Sequence, residues 1–109
     1  MALLHASPGQ PLDVRPLGER LPGQRTFALF KSVQLEVMRL VLPAGKSVPS
    51  HKVPGEITIQ CVEGILDIGL NGSTVRLVAG ELMFLAGGTP HGVAAPVDAS
   101  GLVTVVLAT

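Results

Sequence analysis

Aromatic surface is nearly absent from this chain, which has three phenylalanines, no tryptophan and no tyrosine. Little is left on which nucleic-acid bases could stack. Charge is scarce as well, at 15% of residues, and it balances to a formal net of zero. A neutral chain casts no long-range field toward nucleic acid or an anionic membrane surface. One cysteine, Cys61, excludes a disulfide within the chain, so nothing points to an oxidising compartment. No apolar run approaches the roughly 18 residues of a membrane-spanning helix. The first ten residues, MALLHASPGQ, lack the basic start and apolar stretch of a secretory signal. The expected location is the cytoplasm, with neither nucleic acid nor membrane as partner.

What the chain does have is apolar mass and strong punctuation. Hydrophobic residues make up 47%, and 13 glycines and 9 prolines are spread through 109 residues. That is enough for one domain with a filled core. So apolar a balance in a small domain also favours a face hidden in a homodimer. Residues 1–24 are rich in proline and glycine and read as an extended arm, since proline removes backbone donors and fixes φ. The arm is expected either to wrap a partner subunit or to be partly disordered. His5, within it, reads as solvated. Residues 25–109 read as a single β-domain.

From residue 26 onward short apolar segments alternate with turns. TFALFKS, VQLEVMRLVL, EITIQCV and ELMFL read as strands. In the second, Val33, Leu35 and Val37 share one face, opposite Gln34 and Glu36. PAGKSVP reads as a break. ILDIGL and STVRLV flank Asn71-Gly72, a pairing that suits a type I′ hairpin turn with positive φ at both central residues. GLVTVVL reads as a strand buried on both faces. No segment reads as a helix. About eight short strands with such punctuation argue for an all-β sandwich or barrel.

Two segments carry candidate chemistry. Residues 49–64 read PSHKVPGEITIQCVEG and residues 79–93 read AGELMFLAGGTPHGV. If His51 points inward, alternation carries Val53, Ile57, Ile59 and Cys61 inward with it. His91 follows a Thr-Pro turn and precedes a strand. A histidine pair facing one pocket can bind a polar ligand or move protons near neutral pH. The expected ligand pocket is therefore His51, Val53, Ile57, Ile59, Cys61 and His91. Cys61 reads as a small buried residue, because nothing cationic lies near it in sequence. Glu56, Glu63 and Lys52 read as solvated. Thr58 and Gln60 are expected to face another sheet or a dimer partner. Arg39 interrupts an apolar strand and reads as a solvent-facing position. Its alternative place is a pocket wall, where it would bind a carboxylate.

These two segments resemble the first and second motifs of the cupin superfamily. Gly45, His51 and Gly64 fall at the first motif's spacings, and Gly80, Gly88 and His91 at the second's, with Ala86 replacing a proline. The resemblance covers roughly residues 33–107 and implies an all-β cupin, a jelly-roll-like antiparallel β-barrel. Such barrels often hold a metal through three histidines and one acidic or amide residue. Val53 stands where the second histidine would be, and Ile57 where the acid would be. Valine and isoleucine donate nothing to a metal, and two imidazoles alone leave it too open to be held.

The resemblance therefore implies a barrel that binds a small organic molecule with no tightly held metal and no cofactor. The alternative is an enzyme of dioxygenase, decarboxylase or isomerase type, carrying divalent Fe, Mn, Zn or Ni on His51 and His91. Glu56 is then the candidate third ligand, turned inward by a bulge. Metal-free sugar epimerases of similar fold pair a base with a tyrosine acid, and this chain has no tyrosine. Effector-binding barrels of transcription regulators are a third relation, which would require a separate DNA-binding partner.

Overall fold

Nine strands, every pairing antiparallel, make up about half of the chain in the computed structural model, which describes residues 6–107. They are β1 (Phe27–Lys31), β2 (Leu35–Leu42), β3 (Ser47–His51), β4 (Ile57–Glu63), β5 (Ile65–Leu70), β6 (Ser73–Val78), β7 (Leu82–Leu85), β8 (His91–Ala94) and β9 (Ala99–Val106). A larger sheet has the order β1-β2-β9-β4-β7, and a smaller one β3-β8-β5-β6. The two form separate hydrogen-bonded ladders among the described residues. The barrel is thus a flattened jelly-roll of two sheets.

The core lies between the sheets, where alternate residues of each strand point. Leu40, Ile57, Ile59 and Cys61 of the larger sheet meet Leu66, Ile68, Leu77 and Val93 of the smaller. Strand register extends this face. Glu36, Val105, Ile57 and Leu85 are successive cross-strand partners, and so are Met38, Val103, Ile59 and Met83. The inward face of β2 is therefore that of Glu36, not that of Leu35 and Val37. At β9 the apolar run is not buried on both faces: Leu102 and Thr104 are half-buried and Val106 is exposed on the outer side.

Three local expectations need correction. The segment read as a break contains β3, whose proline, Pro49, is tolerated because β3 is an edge strand. The Asn71-Gly72 hairpin forms, with Leu70 opposite Ser73, but only Gly72 has positive φ, at 81°, so the turn is not type I′. A single 3-10 turn, Gly18–Gly23, also appears in the arm, where no helix was expected.

The described part of that arm packs on its own chain. Leu21 is buried against the outer face of β2. Below it sits Arg39, only 2% exposed, which corrects its reading as a solvent-facing residue. Its Nη2 donates to the Arg15 carbonyl at 2.8 Å and to Ser100 Oγ at 3.0 Å, and lies 3.5 Å from Glu63 Oε2. Glu63, read as solvated, is instead the clasp. Its carboxylate accepts from the backbone N–H of Leu17 at 2.8 Å and Gly18 at 3.0 Å, and from the Ser100 hydroxyl. Burial alone pushes the Glu63 carboxyl up. The Ser100 hydroxyl, the two backbone N–H groups and the Arg39 charge outweigh it and hold the carboxyl below its ordinary value. His5 lies outside the described residues.

Candidate functional site

β3 ends at His51 and β8 begins at His91, and the two residues face each other as direct cross-strand partners. Their ring centroids are 4.5 Å apart and the planes are inclined by 50°. His91 is 4% exposed, whereas His51 lies at the open edge. Each ring is fixed the same way. His51 Nδ1 lies 3.2 Å from the Pro49 carbonyl and His91 Nδ1 2.9 Å from the Thr89 carbonyl. A carbonyl only accepts, so the neutral imidazole that fits carries its proton on Nδ1 in both residues. Nε2 is then left with a lone pair on each ring.

The pair stands at the mouth of a cavity of about 210 Å³ between the sheets. That is below the roughly 300–1,000 Å³ of drug-sized pockets, so it suits a small guest. Of the six expected pocket residues, His51, Val53, Ile57 and His91 line it. Ile59 and Cys61 do not, because they lie further along β4 in the closed core. Cys61 Sγ is within 3.5 Å of the Glu63 and Gly64 carbonyls, and burial pushes its thiol up. It sits as a small buried residue in the core, as its sequence context suggested.

Sequence reasoning missed one polar member, Glu36. It lines the cavity together with Met38, Val103 and Val105. The signal was present in β2: Glu36 shares the parity of Met38, Leu40 and Leu42, which all join the core. The more apolar-looking set of Val33, Leu35 and Val37 masked it.

Glu56 is not the third ligand that a bulge would have made it. It is exposed and borders a shallow depression on the outer face with Thr58, Phe84 and Val106. Its neighbour Ile57 is committed to the core, so alternation turns Glu56 away. Among the described residues, no three His, Cys, Asp or Glu side chains come together as a metal would need. With Val53 and Ile57 in the lining, the donor set does not fit a resident transition metal.

The sequence of residues 38–107 matches the profile of a family described as the cupin domain. No curated protein matches the chain. Among solved structures, it is similar to an RmlC-like cupin from Desulfovibrio desulfuricans, with a TM-score of 0.77 and 24% identity over 89% of this chain and 96% of that one. It is also similar to a cupin superfamily protein from Desulfitobacterium hafniense, with a TM-score of 0.78 and 17% identity over 99% and 100% of the two chains. KdgF from Halomonas aligns with a TM-score of 0.68 and 19% identity over 77% and 80%. At these identities the likeness is one of fold.

Proposed function

This chain belongs to the cupin domain family, and we propose that it binds a small organic molecule in the cavity behind His51 and His91, without a tightly held metal. The observation that carries this reading is the lining itself. Val53 and Ile57, which occupy the positions of two expected ligands, present apolar side chains to the cavity. Apolar walls with a few convergent polar groups are what a small-molecule site needs. Restoring donors should convert it. The Val53→His, Ile57→Glu double variant is expected to retain about one equivalent of added Zn²⁺ through gel filtration, while the parent chain retains almost none. Equal retention by both proteins would contradict the reading. Circular dichroism on each establishes that the comparison is between folded chains.

The protein is further proposed to be a homodimer located in the cytoplasm. The larger sheet supports the first point, since its outer face leaves Leu82 62% and Phe84 61% exposed on the edge strand β7. An apolar patch on an unpaired edge is a surface that association removes from water. The second is supported by the free, buried Cys61 and by the lack of any helix, among the described residues, long and apolar enough to cross a membrane.

A further inference from the structure

The chain has a single asparagine, Asn71, and a glycine follows it. The two residues form the loop between β5 and β6, closed by the partners Leu70 and Ser73. Asn71, Gly72 and Ser73 are all exposed. Gly72 takes positive φ and Asn71 does not. The left-handed tolerance that favours asparagine in hairpin turns is therefore not used at position 71.

Three features open this turn to chemistry within its own backbone. No hydrogen bond among the described residues holds the Asn71 side-chain amide. The Gly72 N–H has no acceptor among them either, because the ladder ends at Leu70 and Ser73 and no turn bond uses Gly72. Space around the glycine is open, since a Cβ built there would meet nothing within 4 Å. Glycine also lets the peptide between the two residues rotate, because it accepts φ of either sign. That rotation brings the Gly72 nitrogen onto the Asn71 Cγ, with which it closes a succinimide ring.

We infer that Asn71 is a site of spontaneous covalent modification in the folded protein, deamidating through that succinimide. The Gly72 nitrogen loses its proton to solvent base and bonds to Asn71 Cγ. The bond from Cγ to the side-chain nitrogen breaks, and that nitrogen takes up a proton and leaves as ammonia. Water then opens the ring at either carbonyl, giving aspartate or isoaspartate, with no oxidant or reductant involved. Either product carries a new carboxylate, so the formal net charge falls from zero by one unit. Isoaspartate also routes the main chain through its own Cβ and Cγ, which adds a carbon to a loop whose length fixes the register of β6 on β5. β6 is an edge strand whose only partner in its sheet is β5, and it carries Leu77 into the core. The added carbon thus loosens β6 and leaves the larger sheet intact. The isoaspartyl form is a substrate for enzymes that methylate such carboxylates with S-adenosylmethionine.

The test incubates the full chain in warm, mildly alkaline buffer beside Asn71→Gln, which keeps an amide in the turn but has to close a larger ring. Circular dichroism checks that both are folded. Isoelectric focusing and labelling by a purified isoaspartyl methyltransferase follow the reaction, and peptide mapping locates the label. The parent is expected to accumulate a form more acidic by one charge, with the label on the peptide that contains residue 71. Asn71→Gln should show neither change over the same period. Label that rises as fast in Asn71→Gln would come from an aspartate elsewhere and would overturn the inference. So would a parent that stays unlabelled while folded but is labelled once unfolded in guanidinium chloride, because the turn would then protect the amide. Hydrogen exchange on the isoaspartyl form, separated by ion exchange, reads the structural consequence. Amides of β6 should lose protection while those of β2 and β9 keep it, and unchanged protection along β6 would contradict the loosening.

Discussion

Arg39 in β2 and Glu63 in β4 lie on either side of β9 in the larger sheet, and neither lines the cavity. Both are turned outward, under the arm, where the carboxylate clasps the backbone of Leu17 and Gly18. Removing one partner of a buried pair leaves the other charge uncompensated. Glu63→Ala is therefore expected to cost about 3 kcal/mol in urea denaturation at neutral pH. Because the folded carboxyl is held below its ordinary value, its contribution is complete above the unfolded carboxylate range of about 4.3. It fades as pH falls through the lower folded value. Glu63→Gln should flatten that acid-side loss, and parallel stability–pH curves for variant and parent would refute the clasp. This arrangement was not legible in the sequence. A lone arginine in an apolar strand looks like a solvent position, and its partners lie 24 and 61 residues away. His51 and His91 were legible, because glycine spacing around them marks turns independent of distant contacts.

At the scale of elements, β4 to β7 were readable because alternation, β-branched residues and turn signals agree there. β3 was hidden by its own proline, which only an edge position permits. Which face of β2 points inward was not legible, because one polar residue, Glu36, sits on the inward face at the cavity. The β4–β5 corner makes a demand of its own. Gly64 has φ of 73°, and a Cβ there would run into the Asp98 carbonyl and lie 2.9 Å from Ala99 Cα. Gly64→Ala is expected to destabilise by roughly 3 kcal/mol or more, through backbone strain and the clash together. A loss below about 1 kcal/mol would mean that the corner relaxes. On β7, Phe84→Glu places charge on the exposed outer face without touching the core. It should yield a folded monomer by sedimentation, whereas an unchanged mass would move the interface elsewhere.

For the whole molecule, the fold was legible and the guest was not. Two sheets with their apolar faces together follow from period-two patterning and turns. A guest is chosen by a handful of side chains whose convergence depends on register, as with Glu36, and fold alone does not name it. An apolar balance in a chain of 11.3 kDa argues for association, so sedimentation should give a mass near twice that value. A monomer at micromolar concentration would contradict the dimer and leave the site untouched. The central claim is that this cupin keeps its histidine pair and has exchanged metal ligands for an apolar lining. Elemental analysis of the purified, untagged protein for Fe, Mn, Zn, Ni and Cu, after metal is offered and excess washed away, tests it most directly. The account predicts far less than one equivalent per chain. About one equivalent would contradict it, and would mean that His51 and His91 hold a metal with a ligand that Val53 and Ile57 do not supply.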